Sequence, residues 1–143
     1  WYQSKDELEC VTASYAPKSA TSFSVNNKSK KKTQGSFEME ATLQDDEKTF
    51  FVAPPVNSSV GGTYAVLETD YTCFSIVVRS PLKETADGKC SPVISTEFMN
   101  DAGMFFLTRD RIPTDVCINK LEDAVLKLNL ETSSIHVVNH NDC

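Results

Sequence analysis

The residues in this chain able to do covalent or coordination chemistry are few and widely spaced. Five cysteines, Cys10, Cys73, Cys90, Cys117 and Cys143, form no Cys-x-x-Cys pair, which argues against zinc or a dithiol redox centre and for disulfides. An odd number leaves one thiol over. His136 and His140 stand four apart in a β-type run with no third ligand nearby, so they are expected to be exposed and no metal site is expected. No Gly-x-Ser-x-Gly elbow occurs, and the carboxylates gather in turns and at alternating outward positions, as solvated charges do. The expectation is a protein that is not an enzyme. Asn27-Lys-Ser29 and Asn57-Ser-Ser59 match the N-glycosylation acceptor pattern, which together with the cysteines points to a secreted, extracellular protein.

Composition narrows the partners. The chain has 143 residues, enough for one domain spanning 1–143 that buries roughly two thirds of its unfolded surface. A formal charge of −6 and a pI near 4.9 argue against nucleic acid and anionic membranes, both of which attract basic surfaces. The basic run Lys28-Ser-Lys-Lys-Lys32 is balanced by acidic neighbours and is expected as a solvated turn. No apolar run reaches the roughly 20 residues of a membrane-spanning helix. Trp1-Tyr2 opens the sequence without an initiator Met, as a mature or truncated form would.

The elements that must position these residues are mostly strands. Tyr64–Arg79 is the densest β-type run: two segments rich in Val, Ile, Tyr, Phe and Thr, launched by Gly61-Gly62 and broken at Glu68-Thr69-Asp70, which predicts a hairpin. Upstream, Cys10–Tyr15, Thr21–Asn27, Gly35–Leu43 and Lys48–Val52 alternate polar and apolar residues. Asp45-Asp-Glu47 turns the chain, and Pro54-Pro55 ends a run because proline cannot donate to a ladder. Pro81–Asn100 is predicted as a long loop with an extra short strand at Val93–Thr96, Gly103–Arg109 as a strand, and Ser134–Asn139 as a last strand. One helix is predicted after Pro113, with Thr114 as N-cap and Cys117, Leu121, Ala124, Val125 and Leu128 on its apolar face. Many short strands followed by one helix imply an antiparallel barrel or sandwich.

In order along the chain, Trp1-Tyr2, Tyr64-Ala-Val-Leu-Glu-Thr-Asp-Tyr71, Phe106-Leu-Thr-Arg109, Pro113 and the helix resemble the three signature regions of the lipocalin family. Phe37-Glu-Met-Glu-Ala-Thr42 and His136-Val-Val-Asn139 followed by Cys143 are similar to the branch that contains apolipoprotein D, retinol-binding protein, crustacyanin and the insect bilin-binding proteins. The resemblance spans the whole chain. It implies an all-β fold: an eight-stranded antiparallel up-and-down β-barrel, the lipocalin calyx, with one C-terminal α-helix packed outside and room for one small ligand inside. Trp1, Asp70 and Arg109 are similar to the family's structural closed-end cluster, where the Arg lies over the Trp ring. Trp1 stands fewer residues before Cys10 than in relatives.

By the same resemblance the ligand-binding residues are Val11, Ala13 and Tyr15, then Val25 and Asn27, then Phe37, Met39 and Ala41. They continue with Tyr64 and Val66, Ser75 and Val77, and Gly103, Phe105 and Leu107. This set is mainly apolar with few polar groups, which suits a small hydrophobic molecule with one or two hydrogen-bonding ends. An inward Asn27 cannot carry a glycan, which favours Asn57 as the glycosylation site. Cys10 and Cys143 resemble the branch's bridge from strand to C-terminal tail. On the same frame Cys73 and Cys117 come to one end, and Cys73–Cys117 competes with Cys90–Cys117. In relatives the cysteine at the place of Cys90 is bridged to an N-terminal arm, so the expectation is that a native arm missing from this sequence carries a sixth cysteine. The implied function is a secreted carrier that requires no cofactor and binds a fatty acid, retinoid, steroid, or tetrapyrrole or carotenoid pigment. The alternative is a salivary- or venom-type lipocalin that scavenges a biogenic amine or binds a protein surface, for which Glu68 is the one carboxylate near the interior. Oligomeric state is left open.

Overall fold

The computed structural model describes residues 9–30, 37–57, 61–93 and 103–143. They fall into two compact units, Trp1–Thr63 with His136–Cys143, and Tyr64–Ile135.

In the first unit β1 (Thr12–Pro17), β2 (Ser22–Lys28), β3 (Phe37–Leu43) and β4 (Thr49–Ala53) pair antiparallel, each with the next. The predicted alternation is what the register uses. Tyr15 lies opposite Val25 and Val25 opposite Met39, while Ala41 lies opposite Val52. Val25, Met39, Ala41 and Val52 are buried and share one face. Asp46 closes the β3–β4 turn: its carboxylate accepts from the backbone N–H groups of Lys48 (2.9 Å) and Thr49 (2.8 Å) and from the Thr49 hydroxyl (2.8 Å). These bonds hold the Asp46 carboxyl below its ordinary pKa, with the Thr49 N–H the largest contributor.

The tail of this unit departs from expectation. Ser134–Asn139 forms no strand; it makes a single parallel bridge, Glu9 to Asn139, with the Cys10 N–H donating to the Asn139 carbonyl at 2.8 Å. Val137 is 88% exposed, so its β-propensity meets no neighbouring surface to pack on. The Cys10–Cys143 disulfide anchors the tail instead.

The second unit is built on β5 (Gly62–Thr69), β6 (Phe74–Val78) and β9 (Met104–Thr108), with β6 antiparallel to both others. Between β6 and β9 lies an unforeseen hairpin, β7 (Leu82–Glu84) with β8 (Cys90–Pro92), inside the stretch predicted as a loop. Val93 belongs to no strand, and the rest of the predicted Val93–Thr96 strand falls outside the described residues. The turn closing β7–β8 carries Gly88 at φ 80, a left-handed conformation that suits glycine.

Helix α1 (Asp115–Lys127) forms where predicted. Thr114 caps it, its hydroxyl accepting from the Cys117 N–H at 3.3 Å, and Asp115 and Lys127 complement the dipole at the two ends. Asn129 ends it at φ 51, a left-handed stop that asparagine tolerates. Phe74, Ile76, Ala124 and Leu130 form the core of this unit, flanked by Leu67, Met104, Phe106, Leu121, Val125 and Leu128. The fold class is therefore all-β, antiparallel and up-and-down, with one C-terminal helix. Among the described residues its meander has four strands in the first unit and β5, β6 and β9 in the second.

Candidate ligand-binding faces

Strand alternation gives the second unit two distinct sheet faces. Phe74 and Ile76 of β6, with Met104 and Phe106 of β9, turn toward α1. The residues between them turn the other way, and the register aligns them: Val66 opposite Val77, Val77 opposite Phe105, and Ser75 opposite Leu107. Tyr64, Val66, Ser75, Val77, Phe105 and Leu107 thus share one largely apolar face. Val77 is almost fully covered (1% exposed), whereas Val66 (42%) and Phe105 (39%) leave apolar surface open. Gly103 serves this face by being small, because a Cβ there would sit 3.1 Å from the Phe105 ring.

The register slips between Val66 and Glu68, where Leu67 is the extra residue of a β-bulge. Strict alternation would put Glu68 on the face of Tyr64 and Val66. Beyond the bulge it pairs with Ile76 and turns toward the helix, where Lys127 Nζ donates to its Oε2 at 2.8 Å. This corrects the sequence-based placement of Glu68 near the interior.

The first unit repeats the pattern. Ala13, Asn27 and Phe37 lie in one cross-strand row, and Tyr15, Val25 and Met39 in the next. Ala41 follows on β3, and Val11 stands just before β1, half-buried. Two residues on this face were missed. Phe23 lies between Tyr15 and Phe50, with ring centroids 5.9 Å from Tyr15 and 4.9 Å from Phe50 in edge-to-face geometry. The signal existed in the sequence, since Phe23 shares the parity of Val25 and Asn27, and Phe50 that of Val52.

A tight structural cluster closes the β5–β6 connection. Asp70 Oδ1 accepts from the backbone N–H groups of Cys73 (2.6 Å), Thr72 (3.0 Å) and Phe74 (3.1 Å), while Oδ2 takes the Thr72 hydroxyl and Lys120 Nζ, each at 3.0 Å. The Cys73 N–H chiefly, then Lys120 and the other amides, hold the Asp70 carboxyl far below the ordinary carboxylate range. Arg109 grips the same turn: its N–H donates to the Cys73 carbonyl at 2.8 Å and its guanidinium to the Tyr71 carbonyl at 3.1 Å. Tyr71 sits at φ 62, a conformation the surrounding bonds enforce. Trp1, the third expected member, lies outside the described residues.

Cys73 and Cys117 form a disulfide that joins this turn to the first turn of α1, so the competing Cys90–Cys117 pattern does not occur. Cys90 keeps a free thiol. Its strand is tied to the helix end, the Cys90 N–H donating to the Asn129 carbonyl (2.7 Å) and the Glu131 N–H to the Cys90 carbonyl (2.8 Å). Among the described residues no group of three His, Cys, Asp or Glu side chains could hold a metal, and no helix is long and apolar enough to cross a membrane. His140 Nδ1 lies 3.9 Å from Cys143 Sγ, and His136 is exposed. Asn57 is exposed in the turn after β4, its N–H donating to the Pro54 carbonyl at 3.2 Å.

Among solved structures the chain is similar to apocrustacyanin C2, with a TM-score of 0.62 and 14% sequence identity over 94% of this chain and 69% of that one. Lobster apocrustacyanin A1 and apocrustacyanin C1 match with TM-scores of 0.61, the same 14% identity and the same coverage. The fold is lipocalin-like. No family model and no curated protein sequence matches the chain.

Proposed function

We propose that this protein is a secreted, non-enzymatic carrier that holds one small hydrophobic molecule against an apolar sheet face of a lipocalin-like fold. The observation that carries the reading is the two-faced sheet of the second unit. One face packs on α1; the other, bearing Tyr64, Val66, Ser75, Val77, Phe105 and Leu107, is apolar and keeps Val66 and Phe105 substantially exposed. A water-facing apolar surface of this kind costs hydration free energy that a bound apolar ligand would recover. Likeness to the crustacyanins, described as apoproteins, supports a fold that receives a bound group. Ser75 is the polar group on this face suited to orienting a fatty acid, retinoid, steroid or pigment. Amine scavenging loses its support, because the Glu68 carboxylate is paired with Lys127 on the helix side.

Two disulfides favour an oxidising, extracellular setting. Asn57, exposed in a turn, is the proposed glycan acceptor, whereas Asn27 is embedded between two strands. The test is an absorption spectrum of the native protein, followed by mass spectrometry of its organic extract. A stoichiometric apolar molecule supports the carrier reading, and visible bands would assign it to a pigment. An empty extract, together with no binding of retinol or of a long-chain fatty acid, overturns it.

A further inference from the structure

The two disulfides sit in different surroundings. Cys73–Cys117 lies inside a dense bond network: the Cys73 N–H donates to Asp70, its carbonyl accepts from Arg109, and its side chain packs against the core of Phe74 and Ile76. Cys10–Cys143 ties residues 136–143 to the segment just before β1, with Cys143 exposed and Cys10 half-buried. Cys10 is held at φ 53, a left-handed conformation unfavourable for a residue with a Cβ, and Asp142, beside the other sulfur, lies at φ 59. Two described bonds accompany the bridge: the Cys10 N–H donates to the Asn139 carbonyl at 2.8 Å, and Lys30 Nζ donates to the Asp142 carbonyl at 3.0 Å. His140 Nδ1 lies 3.9 Å from Cys143 Sγ.

We infer that Cys10–Cys143 is a redox-operated clasp, opened by a dithiol reductant to release the tail, with Cys143 as the leaving sulfur and His140 as the residue that stabilises it. One thiolate of the reductant attacks Cys10 Sγ and forms a mixed disulfide there. The bond between the two protein sulfurs breaks, and its electron pair leaves on Cys143 Sγ. His140, in its Nδ1–H form, can donate to that thiolate, and Lys30, anchored on the residue beside it, adds positive charge. The carbonyls of Asn139 and Asn141, 4.0 and 3.8 Å from the same sulfur, act against the charge, so without His140 the sulfur leaves poorly. The second thiolate of the reductant then displaces Cys10; two protein thiols form and the reductant becomes a disulfide. Opening also lets Cys10 leave its left-handed conformation, which favours the released tail. None of this depends on the carrier reading.

The experiment treats the full oxidised chain with dithiothreitol, quenches at timed intervals with N-ethylmaleimide and maps the label on each cysteine. Cys10 and Cys143 should be labelled at least about tenfold faster than Cys73 and Cys117. His140→Leu should slow the opening of Cys10–Cys143 about fivefold while leaving Cys73–Cys117 and the oxidised Tm unchanged, and His140→Lys, which keeps a cationic donor, should recover most of the rate. With the monothiol glutathione, the trapped mixed disulfide should sit on Cys10 and the free thiol on Cys143. Once opened, with Cys73–Cys117 intact, the chain should keep a cooperative thermal transition. Equal rates for the two bridges, an unchanged rate in His140→Leu, glutathione found mainly on Cys143, or global unfolding on opening each overturn the clasp. The glutathione arm uses no variant and decides alone should a substitution at His140 disturb the tail.

Discussion

Asp70 and Lys120 meet at 3.0 Å and join the β5–β6 turn to the middle of helix α1. The same carboxylate takes three backbone N–H groups of residues 72–74, so one side chain both shapes the turn and tethers the helix. Arg109 and the Cys73–Cys117 disulfide act on the same few residues.

This arrangement makes stability pH-dependent with a definite sign. The folded-state pKa of Asp70 is depressed, so the unfolded chain binds the proton more readily. The contribution is therefore complete above the ordinary carboxylate value of about 3.9 and declines as pH falls from there through the much lower folded-state value. Asp70→Asn should lower Tm by several degrees at pH 7 and by less at about pH 2, where the folded-state carboxyl begins to take up its proton. Thermal melts of both proteins at the two pH values check it; an equal deficit at both would show that charge plays no part.

Removing the second disulfide tests a different kind of constraint. The bridge joins cysteines 44 residues apart, and for a loop of that length chain entropy alone suggests about 4 kcal/mol, with measured values commonly about 2–4. Cys73→Ser with Cys117→Ser should cost that amount in a urea titration. Denatured but unreduced, the unsubstituted 143-residue chain should titrate as one thiol, and alkylation followed by peptide mapping should find it on Cys90.

Core packing gives a third expectation. Ile76 is fully covered and lies between β5, β9 and the helix residue Ala124. Ile76→Ala removes three buried carbons and should destabilise by about 3–4 kcal/mol, read from chemical denaturation. Its neighbour Val77, on the other face, should cost less as Val77→Ala, since fewer carbons are lost.

The two faces of β5 can be separated by charge. Val66→Lys places an ammonium on the exposed apolar face and should abolish binding of a hydrophobic probe while costing less than about 1 kcal/mol of stability. Leu67→Lys, one residue on, turns into the helix-packed core and should unfold the unit or cost about 3 kcal/mol or more. Binding and urea titrations on the two variants give the comparison, and the reverse pattern would refute the assignment of faces.

Much of this was legible locally. Alternation in Thr21–Asn27 and Gly35–Leu43 is a property of the pleat, so the rows Tyr15–Val25–Met39 and Ala13–Asn27–Phe37 could be anticipated once one residue per strand was oriented. Thr114 and the apolar stripe of α1 signal a helix through bonds within a few residues of each other. Phe23 and Phe50 had the parity of this face and were passed over because neither belongs to a motif.

What local pattern could not supply were the features decided by partners far along the chain. Ser134–Asn139 has strand composition and remains a tail with one bridge, because β-propensity expresses itself only against a neighbouring strand or face. Leu82–Glu84 and Cys90–Pro92 are too short and polar to read as strands, and become a hairpin whose second strand is also held by the backbone of Asn129 and Glu131 at the helix end. The sequence by itself determined the alternating faces, the helix with its cap, and the Thr69-Asp70-Tyr71 turn, all of which depend on contacts within a few residues. Only the tertiary structure decided that Glu68 faces Lys127 and that Cys73 meets Cys117. A one-residue bulge reverses a side chain without leaving a periodic trace, and cysteines 44 residues apart pair only when the fold brings them together.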